Sequence, residues 1–220
     1  MTDAMPRGTR ALLAYVRDTL AEALAVKSVR TVAIDYEVDL TEAVVAFFNG
    51  GSIRSVRSAW QKAIKGYARD VYVEGMAEGK MPADEFDADD QDAVDTWIGE
   101  QLGYVDGFVD AVKEAGAAEG DARTGAQQGI LNRVALWVAA LKDLGGLGRI
   151  RALEGELAQW ELGDTEEHCA DCLANSRLKP KRLKWWRDNE RLPRSHDLAC
   201  GGFNCDCGLR SVRTGRWLYP

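Results

Sequence analysis

The chain has 220 residues, of which 46% are hydrophobic, and its formal net charge is −7. This composition excludes a chain too polar to bury a core, and the length suits one large domain or a body with a small appendage. No run approaches the ~18 apolar residues that a membrane span needs. The N-terminal stretch is not expected to be a signal peptide, because Arg17, Asp18 and Glu22 interrupt its apolar residues. We therefore expect synthesis in the cytoplasm, where thiols stay reduced.

The first two predicted elements differ in the period of their apolar residues. Residues 9–27 carry apolar side chains at three- and four-residue steps, which predicts a helix. The stretch "VRTVAIDYEVDL" then alternates apolar and polar side chains, and this period of two predicts a short strand at residues 31–38.

Apolar side chains then recur with the helical period as far as residue 160. The run "GGLG" at residues 145–148 is expected to end one of these helices, because glycine favours helix termini. The Trp and Tyr residues within the apolar stripes are interpreted as core packing. The predicted helices cover residues 41–48, 52–78, 91–115, 124–142 and 149–160.

The sequence changes character near residue 158, where helical periodicity fades and Gly, Cys, Arg and Pro become frequent. The sequence therefore predicts a mainly α fold with two parts. A helical body spans residues 1–157, and a small Cys-rich, basic module with little regular structure spans residues 158–220.

All five cysteines lie in two short segments of this module. "HCADC" contains Cys169 and Cys172 with the C-x2-C spacing of a metal knuckle, which lets two thiolates on one turn reach the same ion. "ACGGFNCDC" contains Cys200, Cys205 and Cys207, and its two glycines permit a tight loop. An odd number of cysteines also argues against a fully paired disulfide framework. The sequence therefore predicts a structural Zn2+ site that stabilises the module.

The choice of ligands stays open at this stage. A tetrahedral zinc takes four ligands, and we expect Cys169 and Cys172 together with two of the other three cysteines. His196 is a reserve ligand, whereas the side chain of His168 is expected to diverge from that of its neighbour Cys169. Instead of binding a metal, the cysteines could form disulfide bonds in an oxidising medium or remain unconnected free thiols.

The same residues do not predict catalysis. A catalytic zinc commonly keeps three protein ligands, an open position and a nearby base, whereas a thiolate-rich ligand set lowers Lewis acidity. The sequence contains no H-E-x-x-H motif, no Walker-type phosphate loop and no G-x-S-x-G elbow. We therefore expect a protein that is not an enzyme and has no small-molecule substrate.

Charge is distributed unevenly along the chain. Residues 81–120 hold twelve acids and one base, whereas residues 177–220 hold eleven Lys and Arg against four acids. Such a split can serve two partners or can mean only a solvated surface. In the basic part, cations surround two tryptophans, which could bind phosphates and stack on bases; alternatively, the tryptophans pack while the charges stay solvated. The candidate binding residues are Lys179, Lys181, Arg182, Lys184, Trp185, Trp186 and Arg187.

A Trp, an Asp-Thr pair, a C-x2-C, a Pro–His segment and a closing C-x-C follow one another in the C-terminal part of the chain. These residues are Trp160, Asp164, Thr165, Cys169, Cys172, Pro193, His196, Cys205 and Cys207. Their order resembles the C-terminal region of the minor head proteins of tailed phages, the Mu F-like head-morphogenesis family. Residues 67–79, 98–112 and 132–141 resemble helices that precede this region. The chain departs from the family in the insertion "DLACGGFN" before Cys205, which adds Cys200.

The resemblance implies a structural protein of the virion. Family members are minor virion components that are associated with the portal and linked to head assembly, packaging or delivery of DNA. We therefore expect localisation in the virion after synthesis in the host cytoplasm, contacts with the portal protein, the major capsid protein and DNA, and no membrane contact. The alternative is a nucleic-acid-binding zinc protein of regulatory type.

Overall fold

The computed structural model describes residues 28–164, 167–195, 197–202 and 205–219. Within these residues the protein is mainly helical, as the sequence predicts, and it ends in a small strand region that contains the cysteine cluster. The helix predicted for residues 9–27 lies outside them. The body is formed by four long helices, α1 (Val29–Phe48), α2 (Ile53–Glu78), α3 (Ala88–Gly116) and α4 (Gly120–Ala152), with a 3-10 turn at Ala83–Glu85.

Helix α1 occupies the segment whose alternating pattern predicts a strand, so that prediction is wrong. Ser28 caps the helix with its side-chain oxygen, which accepts a backbone hydrogen bond from the first turn. The buried residues form a stripe at helical spacing from Val29 to Phe48. The alternation misleads because two of its apolar members, Ile34 and Val38, are about half exposed on the outer face of this helix.

Helix α2 agrees with the prediction for residues 52–78, and the Ser52 side chain caps it by accepting a hydrogen bond from the backbone N–H of Ser55. Helix α3 begins at the acidic loop with a reciprocal capping box between Asp87 and Asp90. The Asp90 carboxylate is buried and also accepts hydrogen bonds from the Tyr72 hydroxyl at 2.7 Å and from Nε of Arg151 at 3.2 Å. A buried carboxylate is stable only where hydrogen-bond donors surround it, and here the donors come from α2 and α4. The Asp90 side chain therefore connects α2, α3 and α4.

Helix α4 continues through the glycines that were expected to end it, and it stops only at Ala152. Gly145 and Gly148 face α2 at close range. A Cβ atom at Gly148 would lie 2.1 Å from the carbonyl oxygen of Tyr72, and one at Gly75 would lie 1.9 Å from that of Gly145. These glycines serve helix packing, because only residues without a side chain allow two backbones to approach so closely.

The core of the body is built around aromatic side chains, as the apolar stripes suggest. The rings of Trp60 and Phe108 stack with centroids 4.5 Å apart, and Trp137 packs edge-on against both. None of the helices in the described ranges combines the length and the apolar character that crossing a bilayer requires.

The C-terminal module contains more regular structure than predicted. Its elements are β1 (Leu157–Glu161), α5 (Ala170–Ser176), β2 (Lys181–Arg182), α6 (Leu183–Asp188), β3 (Gly208–Ser211) and β4 (Trp217–Tyr219). The four short strands form an antiparallel sheet in the order β2-β1-β3-β4, and the predicted helix at 149–160 is replaced by the end of α4 and by β1. An apolar cluster that includes Trp160, Leu183 and Trp186 underlies the sheet.

Asp143 lies where α4 meets the module, and it makes folding stability depend on pH. One of its carboxylate oxygens is buried without a hydrogen-bond partner, and the nearest described cation, Arg194, stays 3.7 Å away. Burial therefore raises the pKa of Asp143 from 3.8 to about 6, although Arg194 and Lys142 act in the opposite direction. Because the folded-state pKa exceeds the unfolded one, this carboxyl favours folding below its unfolded pKa, and the contribution disappears as the pH rises through about 6.

We expect the substitution Asp143→Asn to remove this pH dependence. Between pH 4 and 7 the free energy of unfolding of the natural chain should fall by about 1–2 kcal/mol relative to the variant, because a partly exposed carboxyl realises only part of a two-unit shift. Urea unfolding at several pH values measures this difference. Parallel profiles for the two proteins would show that Asp143 titrates alike in the folded and unfolded chains.

Candidate metal centre

The C-x2-C segment is positioned by the start of α5. Cys169 is the N-cap of this helix, and its Sγ accepts a hydrogen bond from the backbone N–H of Cys172 at 3.4 Å. Cys172 is the third residue of the helix, and the side chain of an N-cap points toward the backbone N–H of this position. Both thiols of the segment therefore lie at the first turn of α5. Cys172 is buried, and Cys169 is partly exposed.

The other three cysteines are brought to α5 by the sheet and by a tight loop. Cys205 and Cys207 precede β3, whose Gly208 pairs with Glu161 of β1. The loop that holds Cys200 is attached to α5, because the backbone N–H of Ala199 donates to Oδ2 of Asp171 at 2.6 Å. The two glycines after Cys200 both have positive φ, which explains the glycine pair predicted to form a tight loop.

The five sulfurs form two triangles that share one corner. Cys169, Cys172 and Cys200 form the outer triangle, and Cys172, Cys205 and Cys207 form the inner triangle; within each, the sulfurs lie within 4.8 Å of one another. The Sγ atoms of Cys172 and Cys205 are 3.7 Å apart. Two thiolates bound to one tetrahedral zinc at about 2.3 Å would be about 3.8 Å apart, so this spacing fits a shared metal ion.

The distance between the sulfurs of Cys172 and Cys205 is also too long for a disulfide bond. All five cysteines are free thiols in the structure. A disulfide requires about 2.05 Å between sulfurs, well below the 3.7 Å that separates Cys172 from Cys205. The cysteine cluster could therefore hold a metal ion.

His168 is a possible ligand that the sequence pattern does not favour. Its Nδ1 atom lies 3.7 Å from Sγ of Cys207. The side chains of His168 and Cys169 do diverge, as expected of neighbours, and the divergence directs one toward each triangle. His196, the predicted reserve ligand, lies outside the described residues. Two features of the sequence could have indicated His168. It directly precedes the first cysteine of the C-x2-C segment, and the five cysteines exceed the four ligands of one ion, so a second group of ligands could include a histidine.

Packing in the cluster shifts the pKa values of three thiols, those of Cys169, Cys172 and Cys200. Burial raises the pKa of Cys172, and the neighbouring thiols of Cys169, Cys207 and Cys205 raise it further. Burial also raises the pKa of Cys200. At Cys169 burial acts upward as well, but hydrogen bonds that begin with the backbone N–H of Cys172 outweigh it and leave the pKa lowered. A bound cation would replace the protons of these thiols on folding.

Two of the seven predicted binding residues are engaged within the module. Trp186 is fully buried, its Nε1 donates to the carbonyl oxygen of Ala158 at 3.3 Å, and its ring packs against Trp160. This indole is therefore not exposed for stacking on a base. Arg187 is partly buried, and its guanidinium pairs with the Glu154 carboxylate at 2.6 Å.

The other five residues form an outward surface, which we call the basic-aromatic face: Lys179, Lys181, Arg182, Lys184 and Trp185. Nζ of Lys181 lies 5.2 Å from the centroid of the Trp185 ring, and Lys184 pairs with Asp188 at 3.1 Å. A cavity of about 480 Å³ lies on this face, with Leu157 and Pro180 in its wall. The combination of cations with a partly exposed indole is suited to phosphates and to flat rings.

No family model, curated protein or solved structure matches this chain. The assignment of the centre therefore depends on the geometry of its own residues.

Proposed function

We propose that the chain is a non-enzymatic minor head protein of a tailed phage. It is made in the host cytoplasm, enters the virion, and contacts the portal protein, the major capsid protein and packaged DNA, with no membrane and no small-molecule substrate. The observation that carries the proposal is that five of the residues behind the resemblance meet in the C-terminal module. Trp160 lies in its apolar cluster, and four of the resembling cysteines belong to the two sulfur triangles.

The metal in this proposal is zinc. Thiolate-rich, tetrahedral sites are typical of structural zinc, and the distance between the sulfurs of Cys172 and Cys205 suits the Zn–S bond length. When bound, the ion links the start of α5 to the loop before β3. It contributes stability, because its ligands hold a module of only about sixty residues together. It does not contribute catalysis, because a thiolate-rich ligand set lowers its Lewis acidity.

The charge distribution supports two kinds of contact. The acidic segment at residues 81–120 lies mostly in α3, on the body, whereas the basic-aromatic face lies on the module. A negatively charged body and a positively charged module can contact two partners at the same time, a protein at the body and either DNA or a loop of the portal protein at the module.

The test is the composition of the phage particle. Mass spectrometry of purified virions should find the protein at few copies per particle, and heads assembled without the portal should lose it. A Cys172→Ala chain supplied in place of the natural one should be absent from particles whose major capsid protein content is unchanged. Absence of the natural protein from both virions and assembling heads would reject the proposal.

The second candidate, a nucleic-acid-binding zinc protein of regulatory type, is favoured by one feature, the basic-aromatic face. Its three outward cations Lys181, Arg182 and Lys184 surround the cavity beside Trp185. If they contact phosphates, replacing all three with Ala should lower the slope of log Kobs against log salt by about 2–3 for duplex DNA. Binding should weaken alike for all sequences, because phosphate contacts carry no sequence information.

The matched control is the triple variant Arg54→Ala, Lys62→Ala, Lys65→Ala, which removes the same charge from the exposed surface of α2. Fluorescence anisotropy at several salt concentrations measures both slopes. Equal slopes for the two triple variants would mean that the face does not bind DNA and would leave it as a surface for protein contacts.

A further inference from the structure

The sulfur cluster is larger than the ligand set of one zinc ion. Five described thiols lie within it, and Nδ1 of His168 lies 3.7 Å from Sγ of Cys207, whereas a tetrahedral ion takes four donors. The excess is not distributed at random. Cys169 and Cys200 belong only to the outer triangle, Cys205 and Cys207 belong only to the inner one, and Cys172 belongs to both.

A single ion does not explain this arrangement. Four thiolates on one tetrahedral zinc have all six of their mutual distances near about 3.8 Å, so they would form one compact group of four. The described sulfurs instead form two groups of three, each within 4.8 Å, that meet at Cys172. A cluster with two centres and one common ligand has this pattern, because a thiolate sulfur carries enough lone pairs to bind two cations.

We propose that the module binds two zinc ions bridged by the Cys172 thiolate, an inference that rests on the proposed zinc module. The inner ion is bound by Cys172, Cys205, Cys207 and His168. The outer ion is bound by Cys169, Cys172 and Cys200. Water completes the outer set, in keeping with the partial exposure of Cys169 and Cys200, while all three thiols of the inner triangle are buried.

The charge of the cluster favours two ions over one. Two Zn2+ with five thiolates and a neutral imidazole leave one net negative charge, whereas one Zn2+ with four thiolates leaves two. The smaller net charge costs less to bury. Arg194, whose Nε donates to the carbonyl oxygen of Cys205 at 3.2 Å, places a positive charge beside the inner triangle.

The number of bound ions tests the proposal directly. Full-length protein purified under reducing conditions should carry two zinc ions by native mass spectrometry and elemental analysis. After replacement of the zinc with ¹¹³Cd, NMR should show two signals that are coupled to each other through the shared sulfur. This coupling requires a bridging ligand, and two independent sites would not produce it.

Two matched variants locate the ions, since each removes one thiolate from one triangle only. Cys200→Ser should retain one zinc and a folded module, with a single uncoupled ¹¹³Cd signal, because the inner triangle is intact. Cys207→Ser should lose the inner ion and with it resistance to trypsin. One zinc in both the natural chain and Cys200→Ser would refute the bridge and leave the zinc module in place. No zinc in the natural chain would refute both.

Discussion

Replacing Cys172 with Ala is expected to unfold the C-terminal module while the helical body remains folded. Cys172 is the one described thiol that belongs to both sulfur triangles, so its loss leaves two separate pairs of thiols. Structural zinc contributes roughly 10–16 kcal/mol to the folding of small modules, so its loss is expected to outweigh the net stability of a module of this size. The body has its own core of buried residues from α1 to α4, which does not include the cysteines.

The measurement separates the two parts of the chain. Far-UV circular dichroism should keep most of its helical signal, whereas trypsin should cut the variant rapidly at Lys181, Arg182 and Lys184. The control is Cys172→Ser, which keeps the size of the side chain but binds zinc poorly. If metal binding, and not packing, keeps the module folded, this variant should be cut by trypsin as rapidly as the Ala variant. A Ser variant as protease-resistant as the natural chain would show that the apolar cluster holds the module without metal.

The gathering of the cysteines could be predicted from the sequence, but their division into two triangles could not. The spacing of Cys169 and Cys172 places two thiolates on one turn whatever surrounds them, so the knuckle is visible locally. The position of Cys200 depends on the hydrogen bond from Ala199 to Asp171, a contact across 28 residues. His168 is not favoured by the sequence because neighbours diverge, and only the fold shows that divergence leads to Cys207.

The two errors about the body have a common physical origin. The pattern from Val32 to Leu40 fits both a period of two and a helical period, and the Ser28 cap together with packing on α2 decides in favour of the helix. Glycines at 145 and 148 are typical of a helix end, yet they lie inside α4 because neighbouring helices pass close to them. A Cβ at Gly148 would meet the backbone of Tyr72, and one at Gly145 would meet the side chain of Val29 at 2.9 Å. In both segments, packing against neighbouring helices determines the secondary structure and overrides the local preference of the sequence.

The second large effect is expected from a single methyl group at the crossing of α2 and α4. In the substitution Gly75→Ala the new Cβ would lie 1.9 Å from the carbonyl oxygen of Gly145, where ordinary contacts begin at 3.4 Å. The obstacle is backbone, so no side chain can rotate away and the two helices must separate. Their separation would loosen the packing around Val71 and Leu144, both fully buried. We expect the free energy of unfolding to fall by about 3 kcal/mol.

Gly66→Ala on the same helix is the matched control, because a Cβ at this exposed position meets no atom within 4 Å. Alanine is the better helix former, so this variant should be more stable than the natural chain by up to about 1 kcal/mol. The same chemical change on one helix thus has opposite signs at two sites nine positions apart, and urea unfolding monitored by the helical signal measures both. If Gly75→Ala were instead as stable as Gly66→Ala, α2 and α4 would not cross through their glycines, and the close approach that Gly145 and Gly148 permit would not determine the packing of the body.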